Sequence, residues 1–119
     1  MQSHVGMNTS VTAFETSVKK FLAKGVDVQI TELDIGQDGQ KYNSEALKSK
    51  YKAFFEMFLA NRKTSEKNGI SGITLWGTID ERSWIYNNNG TKQHPLLFDG
   101  AYTCKPAFYG VLEAAKEAE

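Results

Sequence analysis

An α/β fold built on parallel strands is expected from three features of this 119-residue sequence. Apolar residues recur at helical spacing in three separate stretches, and short runs rich in β-branched residues lie between them. The two kinds of stretch also alternate, the order that places a crossover helix between parallel strands.

Met1 to His4 reads as the end of a first strand. From Val11 to Lys24 the residues Val11, Phe14, Val18, Phe21 and Leu22 fall at three- and four-residue spacing and mark one helix face. Ser10 or Thr9 suits its N-cap and Gly25 its end. Val26 to Ile35 is β-branched and lacks helical periodicity, so it reads as a strand. Gly36 to Asn43 is a polar loop. Ser44 to Lys67 then carries Leu47, Tyr51, Phe54, Phe55, Phe58 and Leu59 on one stripe, a long amphipathic helix stopped by Gly69. Ile70 to Trp76 is a further short apolar strand, followed by a long loop to Lys105. Pro106 suits a first helical position, where no N–H is needed, and Phe108, Val111, Leu112 and Ala115 supply the face of a last helix.

Composition narrows the classes of function. Fourteen basic residues balance fourteen acidic ones, so the chain as a whole has no attraction for a nucleic acid or an anionic membrane. No apolar run reaches the roughly 18 residues of a membrane span. The single cysteine, Cys104, makes neither an intrachain disulfide nor a thiolate-rich zinc site. A length of 119 residues suits one domain and falls short of the roughly 250 of a complete (β/α)₈ barrel.

In parallel α/β architectures functional groups gather at the carboxyl ends of strands, which directs attention to His4, to Glu32 and Asp34, and to Trp76. Two carboxylates two residues apart share one side of an ideal strand, and ionising both in a dry setting calls for a cationic neighbour. His4, ending the preceding strand, lies within reach of both and can donate to each. The alternative is that Glu32 and Asp34 cap the following loop. Trp76 and Trp84, with Tyr86 beyond, suit a carbohydrate cleft because aromatic faces stack on the C–H faces of sugar rings; the alternative for each is core packing.

Taken in order, Ile30 to Asp34 (ITELD), Leu75-Trp76-Gly77 with Asp80 and Ser83-Trp84, Pro95 to Asp99 (PLLFD) and Lys105 to Tyr109 (KPAFY) resemble the C-terminal part of the family 10 glycoside hydrolases, the endo-β-1,4-xylanases. Met1 to His4 resembles the end of that family's sixth barrel strand. The resemblance implies that residues 1–119 are a partial catalytic domain, about strands six to eight of a TIM barrel with their helices. It implies Glu32 as catalytic nucleophile, His4 and Asp34 as its hydrogen-bonding support, and Gln2, Trp76 and Trp84 around the reacting sugar. It also implies xylan or xylo-oligosaccharide as substrate, no cofactor, an extracellular location, and the N-terminal remainder of the barrel as structural partner.

A retaining glycosidase needs two carboxyls about 5–5.5 Å apart, and Glu32 supplies only the nucleophile. Nothing in the sequence places Asp80, Glu81 or Asp99 opposite it, so the acid/base glutamate is expected outside this segment, which alone is expected to be inactive. A non-catalytic fragment that binds xylo-oligosaccharide or complements a half-barrel is the alternative function. Asp80 and Arg82 read as loop structure. Ser17 and Lys20 fit an acylating Ser-x-x-Lys pattern only by chance inside a helix. Asp34, Asp38 and Gly39 lack the spacing of a calcium loop, and His4 and His94 lack ligand-spaced partners, so no metal is expected. Asn8-Thr9-Ser10 and Asn89-Gly90-Thr91 are glycosylation triplets, and Asn87 to Gly90 reads as a turn.

Overall fold

The fold is taken from a computed structural model, which describes residues 1–88 and 91–119. Three strands form a parallel sheet in the order β1 (Gln2–Gly6), β2 (Val28–Gly36), β3 (Ile70–Leu75). Helices α1 (Val11–Leu22) and α2 (Ser44–Ala60) make the two crossovers, and α3 (Pro106–Glu117) follows the last loop. That loop holds a 3₁₀ turn at Asp80–Arg82 and an antiparallel pair, β4 (Asn87–Asn88) with β5 (Thr91–Lys92). The turn expected across Asn87 to Gly90, and the glycosylation triplet at Asn89, include residues outside the described ones.

The helices lie on one face of the sheet. Val18 of α1, Leu47, Tyr51, Phe54, Met57 and Phe58 of α2, and Ala107 of α3 share one core with Val28, Ile30, Leu33 and Ile35 of β2. Strands laid down in chain order with every helix on the same face are how a barrel winds; a doubly wound sheet reverses direction and covers both faces. The opposite face of β1 and β2 is left to Gln2, His4, Gln29 and Thr31, which are exposed or half-buried. Among the described residues no helix is long and apolar enough to cross a membrane.

Caps set the helix ends. Ser10 accepts from the Ala13 N–H and Asn43 from the Ala46 N–H, while Gly25, at φ 84°, takes the left-handed turn that releases the chain toward β2. The second helix ends at Ala60, seven residues before the expected Lys67. Asn61 stops it: its side chain donates to the Met57 carbonyl and across to Glu15 of α1, and its own carbonyl accepts the Ile70 N–H that begins β3. Residues 62–68 are polar and offer nothing to bury, so packing gives no reason to extend the helix. Strand β1 runs two residues past His4, to Gly6, because its pairing with β2 continues through Gly6↔Gly36.

Candidate active site

Strand β2 alternates until Thr31 and then changes phase. Val28 and Ile30 point into the helices, yet beyond Glu32 it is Leu33 and Ile35 that are buried there. The pairings show why: Gln2↔Thr31 is followed by His4↔Asp34 on one side, and Ile30↔Ile73 by Leu33↔Leu75 on the other. In both, β2 spends one residue more than its neighbour, a bulge at Glu32. Glu32 sits at φ 53°, a left-handed conformation that a side-chain-bearing residue adopts only at a cost. This corrects the ideal-strand expectation. In a regular strand Glu32 and Asp34 would have followed Val28 and Ile30 under the helices, whereas the bulge turns both carboxylates to the open face.

His4 stands between them. Its Nδ1 is 3.1 Å from each carboxylate oxygen of Asp34, and its Nε2 is 3.3 Å from Glu32 Oε1. Both ring nitrogens thus face acceptors, and a neutral imidazole has only one N–H to give. The ring therefore links the two carboxylates from both of its nitrogens. Asp34 is 1% exposed, which fits neither surface solvation nor the loop-capping alternative, since its partners are side chains. Burial pushes its carboxyl above the usual range, while hydrogen bonds from Trp84 and His4 hold it down and the Glu32 charge adds to the rise. Glu32 is about one-fifth exposed and opens to solvent.

The tryptophans differ in their roles. Trp84 is 62% exposed, so the core-packing alternative fails for it, but its indole N–H donates to Asp34 Oδ2 at 2.8 Å. Its ring also meets the His4 ring edge to face at 4.9 Å. Trp76, 47% exposed, leaves β3 with its backbone N–H on the Leu33 carbonyl, the residue after Glu32. The next residue, Gly77, has φ 129°, a backbone open to glycine alone, which lets the chain turn away at once. Gln2 is exposed on the same face of β1 as His4, and among the described residues no side-chain hydrogen bond joins it to the group.

Of the carboxylates considered for the second role, Asp80 is 1% exposed and pairs with Lys105, and Asp99 accepts the Ala101 and Thr103 N–H groups of its own turn. Sequence reasoning missed the Asp80–Lys105 pair, because no spacing signal joins residues so far apart. It also missed the Trp84 N–H as a partner of Asp34, having read that residue only as an aromatic wall.

A carboxylate that a bulge turns onto the open face of a strand, beside exposed indoles and on a sheet wound in one direction, fits a piece of a (β/α)₈ barrel carrying part of its site. The sequence profile of Glycosyl hydrolase family 10 matches residues 1–114. This chain belongs to that family, and its three β/α units match part of the TIM barrel of its structural neighbours. Among curated relatives, endo-1,4-beta-xylanase A of Thermoanaerobacterium saccharolyticum is 35% identical over 98% of this chain and 9% of its own length. Exoglucanase XynX of Acetivibrio thermocellus is 33% identical over 98% of this chain and 10% of its own. Among solved structures, the Clostridium thermocellum CBM22-1-GH10 modules complexed with xylohexaose align at TM-score 0.82 and 32% identity, covering 95% of this chain and 22% of that one. A Cellvibrio japonicus xylanase aligns at TM-score 0.80 and 29% identity, covering 95% and 38%. The chain therefore spans about a tenth of the first curated relatives and between a fifth and two-fifths of these two structures.

Proposed function

We propose that residues 1–119 are the C-terminal segment of the catalytic domain of a retaining endo-β-1,4-xylanase, with Glu32 as its nucleophile. One observation carries the reading: a bulge that costs backbone strain serves to bring Glu32 out on the open face of β2 and against His4. In the proposed reaction a Glu32 oxygen attacks the anomeric carbon of a xylosyl unit and the glycosidic bond breaks. A glutamic acid outside these residues protonates the leaving oxygen, and the same group then activates the water that releases the sugar with retained configuration. His4, held by Asp34, hydrogen-bonds Glu32 and keeps it turned toward the cleft; Trp76 and Trp84 flank the sugar, with Gln2 on the neighbouring strand. The N-terminal strands of the barrel supply the remaining subsites.

The test grafts residues 1–119 in place of the matching segment of the Clostridium thermocellum module and assays xylan cleavage. Glu32→Gln is expected to lower kcat by about 10³-fold or more, about 4 kcal/mol of barrier, and a loss within about tenfold refutes the nucleophile. Proton NMR of the first product should show the β anomer. Because one relative is named an exoglucanase, xylan and cellulose oligosaccharides are compared by kcat/KM, and a preference for glucan would overturn the substrate but not the mechanism.

The exposed indoles favour a second reading for the segment by itself: a weak binder of xylo-oligosaccharide without turnover. Calorimetric titration with xylohexaose beside an activity assay of the isolated chain separates the two, and hydrolysis without added protein defeats this one.

A further inference from the structure

The loop between β3 and α3 carries both tryptophans, yet it holds little regular structure to keep them in place. A buried ion pair does that work. Asp80 and Lys105 are 1% and 6% exposed, and Lys105 Nζ lies 2.8 Å from Asp80 Oδ2. The ammonium also donates to the carbonyls of Leu96 at 2.6 Å and His94 at 3.0 Å, so its three N–H groups meet three acceptors. Asp80 Oδ1 accepts the Leu96 N–H at 2.8 Å. Two side chains thus join three points of the loop: the turn that leads into Trp84, the segment around Leu96, and the residue before α3.

That segment is fastened in turn to the end of β2. Ile35 donates its N–H to the Pro95 carbonyl at 3.2 Å, and the His94 N–H and carbonyl meet the Gln37 side chain at 2.6 and 3.3 Å. The Ser83 N–H bonds the Asp80 carbonyl at 3.0 Å, which leaves Trp84 one residue beyond a closed turn. Burying two charges is expensive, and apolar side chains of similar volume would hold a core as well or better. What the charged pair adds is direction: each bond has one geometry, and all are satisfied together.

We propose that Asp80 and Lys105 are positioning residues that set the Trp84 indole against Asp34 and, through Asp34 and His4, orient Glu32. The structural half of this stands whether or not Glu32 is the nucleophile; the kinetic half rests on that reading.

The test uses fluorotryptophan NMR and indole hydrogen exchange, with the two tryptophan signals told apart by Trp84→Phe. It is run on the 119-residue chain and again in the grafted barrel, whose other strands supply neighbours for β1 and β3. Asp80→Asn keeps the Leu96 contact and removes the charge. The double variant Asp80→Asn with Lys105→Met removes both charges and leaves neither buried alone, and far-UV circular dichroism checks that it is folded. In the folded state of each, exchange of the Trp84 indole N–H is expected to quicken by about tenfold, the loss of one such hydrogen bond, while Trp76 is unaffected. An indole protected to within about twofold of wild type in a folded double variant overturns the proposal. In the grafted barrel kcat/KM for xylan should fall with a displaced acidic limb of the pH profile. A freed indole with unaltered turnover and pH profile overturns the link to Glu32. A wild-type graft that binds xylan without cleaving it would instead sink the proposed reaction and leave the indole result intact.

Discussion

Trp84→Phe is the substitution on which exposure and hydrogen bonding disagree most. The side chain is 62% exposed, and surface changes away from special features usually stay within about 0.5 kcal/mol. Its N–H, however, donates at 2.8 Å to the buried Asp34 carboxylate, and hydrogen bonds to charged groups contribute about 1.5–3 kcal/mol. Because the bond is only partly buried, the lower end applies, about 1.5 kcal/mol. Phenylalanine keeps a ring for the edge-to-face contact with His4 and removes the donor alone. The pH dependence gives the sign. Burial raises the Asp34 carboxyl, so the folded state favours its protonated form, and the resulting stability is present below the unfolded pKa and lost as pH rises through the folded one. Removing the Trp84 N–H penalises only the charged form and pushes that carboxyl up further. The destabilisation should therefore be full at neutral pH and shrink as pH falls toward about 4, the usual carboxylate value. Urea unfolding of the grafted barrel, followed by far-UV circular dichroism at neutral and acidic pH, measures it. An effect under about 0.5 kcal/mol, or one of equal size at both pH values, would refute the reasoning.

Three further substitutions test the backbone and the packing. At Glu32, φ 53° makes Gly more stable than Ala by about 1 kcal/mol, the reverse of their order in a regular strand, and urea unfolding of the two variants gives the sign. Gly110 of α3 lies where an added Cβ would come within 2.5 Å of the Lys48 carbonyl oxygen of α2. Gly110→Ala should then cost about 1–3 kcal/mol by overpacking although Ala is the better helix former by about 1 kcal/mol, and a raised melting temperature would contradict the close approach. Tyr51 is fully buried and its hydroxyl donates to the Pro95 carbonyl, so Tyr51→Phe should cost about 1 kcal/mol in the same assay, with no change expected if that hydroxyl were solvated.

The parts of the fold that follow from short-range physics could be read from the chain. Helical spacing found α1, α2 and α3, and Ser10, one of the two residues suited to cap the first, is the cap observed, whereas the Asn43 cap of α2 emerged only in the structure. The alternation of elements gave parallel order, and the motif around Glu32 pointed to the stretch of strand where His4 does meet both Glu32 and Asp34. Element ends fared less well. The end of α2 depends on Asn61 reaching Glu15 of another helix, a contact with no trace in the local pattern.

The chain's residue order is enough to specify three β/α units, their alternation, and the residues that gather around Glu32. These are consequences of periodicity, capping and β-propensity, each acting over a few residues. It does not specify which way Glu32 and Asp34 face, because glutamate has no preference for a left-handed backbone and nothing nearby in sequence demands one. That orientation comes from Leu33 and Ile35 being drawn beneath the helices while β1 and β3 hold their own register, so that one residue of β2 must bulge outward. The buried pairing of Asp80 with Lys105 and the bond from Trp84 to Asp34 arise the same way, between groups that only folding brings within reach of each other.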